Sequence, residues 1–209
     1  MRIIGGRFRS RTLLAPVGQK TRPTSDRLRE TLMNVLTNGA KNRALDARML
    51  DLYAGTGAVG MEALSRGAQS VTFVDQSSAA MTALEANCKR LGLGEESKCI
   101  RSSVCAWLRR AASPASPVTQ QFDVVFLDPP WDDREEYEQA LGLLGGEAAK
   151  LLAPNAWVIA EHRSKNVLAE DAGALRRWRV IKQGDATLSF YTRASQSDEP
   201  ADELPSEAP

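Results

Sequence analysis

Asp128, Pro129, Pro130 and Trp131 follow one another at the end of the apolar run FDVVFLD, Phe122 to Asp128. The aspartate offers a carboxylate acceptor, the two prolines stiffen the backbone and present carbonyls without N–H groups, and the tryptophan adds a flat apolar surface. That set suits an exocyclic amino group of a nucleobase, a poor nucleophile because its lone pair is delocalised into the ring. The Asp128 carboxylate and the Pro129 carbonyl can accept its two N–H groups and favour the pyramidal nitrogen of a transition state. A base taken out of its stack can lie against Trp131. Asp128 can act ionised in this role, with no raised pKa; whether it also takes the departing proton is open at this stage. By itself the tetrapeptide is also a rigid turn, so its meaning depends on what shares its end of the fold.

The second chemical stretch is MLDLYAGTGAVG, Met49 to Gly60, in which Gly55, Gly57 and Gly60 satisfy G-x-G-x-x-G. A buried strand feeding a tight turn and a helix N-terminus brings backbone close to an adenosine-type ligand, and Asp75 closes the next strand-like run about twenty residues on. A nicotinamide dinucleotide would place its pyrophosphate on the loop and its ribose on Asp75. S-adenosylmethionine has no phosphate, but its methionyl ammonium wants a carboxylate, which Asp51 can supply. The loop alone does not choose between them. A dehydrogenase has no evident need of D-P-P-W and more often uses a His or Lys acid/base; His162, the only histidine, falls in a strand-like run and reads as structural.

The elements that must position these groups alternate strand and helix. Met49 to Asp51, Ser70 to Asp75, Lys98 to Ser103, Phe122 to Asp128 and Ala156 to His162 read as strands. Met61 to Arg66, Ser77 to Leu91, Ala106 to Ala112 and Glu147 to Leu152 read as helices, and Arg177 to Lys182 with Thr187 to Thr192 as a closing hairpin. The expected fold is α/β, a doubly wound and mainly parallel sheet, with the ligand crevice outside the carboxyl ends of its strands. D-P-P-W and the glycine loop then face one crevice.

Ahead of this unit, RIIGGRFRSRTLLA (Arg2 to Ala15) reads as a small β-hairpin bearing Arg2, Arg7, Arg9 and Arg11, either a polyanion grip or an edge protected by arginine. TSDRLRETLMNVLTNG reads as an amphipathic helix capped by Thr24 or Ser25 and stopped at Gly39, with Arg22, Arg27 and Arg29 extending the positive segment. Residues 1 to 48 hold eleven Lys or Arg against three acids, while residues 194 to 209 hold five acids and no base. A net charge of +1 therefore hides a basic front that suits nucleic acid. The expected organisation is a basic hairpin at 1–20, a catalytic domain at 21–193 and an acidic, disordered tail at 194–209. Three cysteines without C-x-x-C spacing, no apolar run of membrane length and no signal-peptide core point to a cytoplasmic protein with neither metal nor membrane partner.

At this point the residues carry a resemblance. The glycine loop, Asp75 and D-P-P-W resemble class I S-adenosylmethionine-dependent methyltransferases that modify base amino groups. More closely, RIIGGRFRSRTL, RPTSDRLRETLMNVL, LDLYAGTGAVGMEALSRGA and FLDPPW, in this order, resemble the bacterial 16S rRNA (guanine-N2) methyltransferase D family across nearly all of Met1 to Arg193. The resemblance implies a seven-stranded Rossmann-like sheet and methylation of one guanine N2 amine in the 16S rRNA of the small subunit or its late assembly intermediate, near the P site, by a monomer. By position, Asp51, Gly55 and Gly57 would line the methionyl side of S-adenosylmethionine, Asp75 the ribose, and Ser103 with Val104 the adenine. Tyr53 and Gln76 belong to the same donor site. Relatives commonly carry an amide or carboxylate at the Ser103 position and Tyr or Phe at the Trp131 position. D-P-P-W would equally serve adenine N6 or cytosine N4, and a non-catalytic RNA-binding assembly factor is the alternative from another class.

Overall fold

A computed structural model describes residues 1–16, 25–39, 41–116 and 118–194. Its centre is an eight-stranded sheet in the order β3-β2-β1-β4-β5-β8-β7-β6. Strands β1 (Arg48–Leu52), β2 (Ser70–Asp75), β3 (Ser97–Arg101), β4 (Phe122–Leu127) and β5 (Leu152–Arg163) run parallel. Strands β6 (Asp171–Ala172), β7 (Leu175–Gln183) and β8 (Ala186–Arg193) add antiparallel pairs on the β5 side. The sheet thus has eight strands where seven were expected. The extra one, β6, is two residues long, too short for any periodicity to show.

Both faces of the sheet are covered, as parallel strands require. Helices α1 (Asp26–Thr37), α2 (Ala58–Ser65) and α3 (Ser78–Leu91) pack Leu32, Met33, Met61 and Leu84 against Met49, Phe73, Phe126 and Ile159. On the other face α4 (Val104–Ala112) and α5 (Arg134–Gly145) set Trp107, Leu108, Tyr137 and Leu144 against Leu50, Val74, Val125 and Val158. Side chains alternate between the faces along each strand, so the odd and even positions of β1 belong to different cores.

Ser25 caps α1 through its side chain on the Leu28 amide, as its type predicts, while Thr24 lies outside the described residues. Ser77 caps α3 in the same way on Ala80. α5 was not foreseen. A helix was expected instead over Glu147 to Leu152, where the chain makes one 3-10 turn, Ala149–Leu151, and enters β5. The real helix starts at Asp133, whose carboxylate accepts from the Glu136 amide, and buries Tyr137, Ala140, Leu141 and Leu144.

The front of the chain is not a projecting ribbon. The expected hairpin is present in short form: Arg2 bridges Thr12 antiparallel, the Ile3 amide donates to the Arg11 carbonyl and the Leu13 amide to the Met1 carbonyl, both at 3.0 Å, and Gly6–Phe8 forms a 3-10 turn between the arms. Other amides go sideways into α2: Ile4 and Gly5 each donate to the buried Glu62 carboxylate at 2.8 Å, and Phe8 to Ser65 at 2.9 Å. Asn87 of α3 receives the Leu14 amide at 2.7 Å and donates to the carbonyls of Leu14 and Thr56. Arg29, expected on the basic surface, is fully buried and donates to the Arg2 carbonyl at 2.7 Å and to Asp26. It shares the helical stripe of Met33 and Leu36, so it fastens the front segment to α1.

Candidate active site

The carboxyl ends of β1, β2 and β4 open into one cavity of about 550 Å³. Asp51, Tyr53, Gly55, Asp75, Gln76 and Val104 line it together with Asp128, Pro129, Pro130 and Trp131, so the two motifs share a single space. Gly57 and Ser103 are not among the lining residues.

The three motif glycines divide their work. Gly55, with φ +55°, lines the cavity, and a Cβ there would meet only the Tyr53 carbonyl, at an ordinary 4.0 Å. Gly57, with φ +77°, would drive a Cβ into Leu84, and Gly60 would drive one into Phe73. Gly60 thereby lets α2 lie close on β2, and Gly57 makes room for Leu84 of α3. Tyr53 also has positive φ, +60°, an uncommon conformation for a bulky residue, and its hydroxyl donates to Glu136 Oε1 at 2.8 Å.

The donor-side carboxylates are held by backbone. Asp51 is buried and accepts from the Gly60 amide at 2.9 Å, in the first turn of α2. Burial pushes its carboxyl up to about 8; the Gly60 hydrogen bond opposes this and the charge of Asp75 adds to it. Asp75 accepts from Gly55 N and from Ser77 N, both at 2.8 Å, so it fixes the loop as well as facing the cavity.

The D-P-P-W side is less satisfied. Asp128 Oδ1 is shielded from solvent and has no hydrogen-bond partner. Burial raises the Asp128 carboxyl well above the usual carboxylate range, the neighbouring Glu161 raises it further, a hydrogen bond from Trp131 opposes this, and Asp51 adds to it. The role read from the sequence needs no raised carboxyl; its surroundings raise it all the same. The Pro129 carbonyl, expected to face a guest, lies 3.2 Å from the Tyr137 hydroxyl, whose shorter bond, 2.9 Å, goes to the Glu161 carbonyl. A phenol has one proton to give, so the Pro129 oxygen keeps acceptor capacity. Trp131 is fixed through its carbonyl by Asn166 Nδ2 at 2.8 Å, and the Arg163 guanidinium sits 5.4 Å from its ring centre.

Three contributors escaped the sequence reading. Arg163 and Met1 line the cavity, and Glu161 is buried beside Asp128. Arg163 and Glu161 could have been found by aligning the ends of the two parallel strands. Met1 could not, because it reaches the cavity through the docking of the front segment; the Thr56 hydroxyl lies 3.6 Å from its Sδ. His162 is buried, bonded at 2.9 Å to Ser189 through Nε2, and depressed by that burial below the usual histidine range. Arg2, Arg9, Arg11 and Arg27 are exposed, and so is Arg7, which pairs with Glu96 at 3.1 Å. Arg22 lies outside the described residues.

Known proteins bear on this arrangement. The family described as conserved hypothetical protein 95 matches residues 1–192. Ribosomal RNA small subunit methyltransferase D of Escherichia coli K12 is 33% identical over 202 residues, 97% of this chain and 94% of that protein. YlbH of Bacillus subtilis is 33% identical over 193 residues, 92% of this chain and 99% of its own. The solved structure of yhhF from Escherichia coli aligns with a TM-score of 0.76 at 32% identity, covering 94% of this chain and 99% of that one. The chain belongs to the conserved hypothetical protein 95 family, together with the ribosomal RNA small subunit methyltransferase D proteins, and is a class I S-adenosylmethionine-dependent methyltransferase.

Proposed function

We propose that this methyltransferase modifies the exocyclic N2 amine of one guanine in 16S rRNA, in the small ribosomal subunit or a late assembly intermediate, and works in the cytoplasm as a monomer without a metal. The observation that carries the reading is the Asp128 Oδ1 acceptor, shielded and unpartnered, in the same cavity as the glycine loop. S-adenosylmethionine supplies an electrophilic methyl on sulfur when bound. Asp51 meets its ammonium, Asp75 its ribose hydroxyls, and Tyr53, Gly55, Gln76 and Val104 wall its place.

Asp128 and the Pro129 carbonyl bind the two N–H groups of the amine, hold the nitrogen in line and favour its pyramidal form. Trp131 and Arg163 border the space for the base. Arg2, Arg7, Arg9, Arg11, Arg22 and Arg27 grip phosphate, which makes binding steeply salt-dependent. Support for that grip comes from the front segment, which is bonded to α2 and reaches the cavity through Met1.

The test is tritium transfer from labelled S-adenosylmethionine to undermethylated small subunits and to naked rRNA, with nucleoside analysis of the product. N2-methylguanosine is expected. Methyladenosine or methylcytidine would assign the site to another base amine, and no transfer despite donor binding would favour a non-catalytic assembly factor.

A further inference from the structure

A buried carboxylate that the proposed chemistry leaves unused sits at the end of β5. Glu161 is 2% exposed, and the parallel register pairs Leu127 of β4 with Ala160 of β5, so Asp128 and Glu161 come next, side by side. Phe126 and Ile159, two residues earlier on each strand, face the α1, α2 and α3 layer, and strand alternation turns Asp128 and Glu161 toward that same face. The Tyr137 hydroxyl ties the two segments by lying between the carbonyls of Pro129 and Glu161. Two carboxyl groups this close in a shielded place do not both ionise at low cost.

We propose that Glu161 is the proton partner of Asp128, and that the carboxyl pair takes up the proton which the amine releases on methylation. This rests on the amine-methylation reading above. Before transfer the pair holds one proton, and the arriving N–H groups favour its residence on Glu161, leaving Asp128 Oδ1 as acceptor. The nitrogen–methyl bond forms as the sulfur–methyl bond breaks, with that electron pair returning to sulfur. The cationic amine then loses one N–H proton to Asp128, and the doubly protonated pair returns a proton to water. Glu161 therefore acts through Asp128 as a positioning residue. Other groups around the pair are Asp51 at the end of β1, whose charge acts on Asp128, the Tyr137 phenol from α5, on which both carboxyls act, and Arg163 further along β5, which lines the same cavity as Asp128 and pairs with Asp132 at 3.6 Å.

Two measurements test the pair. Single-turnover methyl transfer at saturating donor, recorded against pH, is expected to rise as the pair loses its first proton and to fall as it loses the second, a step that the like charge holds above the ordinary carboxylate range. In Glu161→Gln the falling limb disappears, because no second carboxyl is left to lose a proton. The infrared band of protonated carboxyl groups in donor-free protein, recorded in an Asp51→Asn background, is expected to pass from two titration steps to one, with the upper step moved to at least about tenfold higher proton concentration. A limb and band unmoved by Glu161→Gln would reduce Glu161 to a structural role. If Glu161→Gln does not fold, Asp128→Asn gives a second route: the remaining carboxyl band titrates at lower pH if the groups are paired, and stays where it was if they are independent. Failure of wild-type protein to methylate guanine would overturn the proposed function, while the infrared titration still decides the pair.

Discussion

The two halves of the cavity are built in opposite ways. On the donor half, backbone amides occupy Asp51 and both oxygens of Asp75, and Glu136 holds the Tyr53 hydroxyl. On the acceptor half, Asp128 keeps a shielded oxygen without a partner, next to a second buried carboxylate. A satisfied network is rigid and defines a shape in advance; an unsatisfied acceptor costs stability until a donor arrives. The donor half is therefore a preformed seat, and the acceptor half stores a demand that an amino group meets. That division fits an enzyme whose binding energy is most useful when it is realised at the reacting nitrogen.

The strongest way to break the comparison is Asp128→Ala. Single-turnover kinetics should show methyl transfer falling by about 10²–10³-fold or more, as for loss of a key electrostatic partner, while calorimetry shows donor affinity within about twofold. The variant should also be no less stable than the wild type, because a shielded carboxyl oxygen without a partner disappears. A large loss of stability would mean that Asp128 is structural.

Asp51→Asn probes the other half. Donor affinity should fall by about 10–100-fold with the loss of a charge-assisted contact. The sign of the pH effect on the empty protein is opposite to that of an ordinary salt bridge. Because the folded-state carboxyl is raised from 3.8 to about 8, its contribution to stability is fully present in acid and is lost as pH rises through about 8. Melting curves should show Asp51→Asn gaining stability relative to wild type toward alkaline pH. An equal difference at all pH values would contradict the assignment.

Next come the glycines, which separate seat from scaffold. Gly60→Ala overpacks α2 on Phe73 and should cost about 1–3 kcal/mol in denaturant unfolding. Gly55→Ala meets no clash and carries only the strain of its positive φ, about 1 kcal/mol, yet should weaken donor binding. The smallest stability effects belong to the exposed arginines: Arg9→Ala, Arg11→Ala and Arg27→Ala should each change stability by less than about 0.5 kcal/mol. Each should lower the salt slope of RNA binding by about one.

Much of this architecture was legible because parallel strands buried on both faces read as short apolar runs: Ser70 to Asp75 was read with the bounds it has, and both motifs fell at strand ends. α5 was overlooked although its signals were present, Asp133 as cap, Glu135 and Glu136 in the first turn, and apolar residues at 137, 140, 141 and 144. Arg29 was misread because a charged side chain on a basic segment looks exposed; the Arg2 carbonyl, brought by tertiary folding, together with Asp26 makes its burial tolerable. The front hairpin was legible in outline, with Arg2 bridging Thr12, but not its docking, since the amides of Ile4, Gly5 and Phe8 found the Glu62 carboxylate and Ser65 hydroxyl of another element. Glu161 carries no local motif at all. Its meaning arises only when β5 is laid beside β4.

The most direct test of the central claim is mass-spectrometric nucleoside analysis of small-subunit rRNA from cells lacking this protein, complemented with wild type or with Asp128→Ala. The account predicts that one N2-methylguanosine is lost, restored by the wild type and not by the variant. An unchanged N2-methylguanosine content, or full restoration by Asp128→Ala, would contradict it.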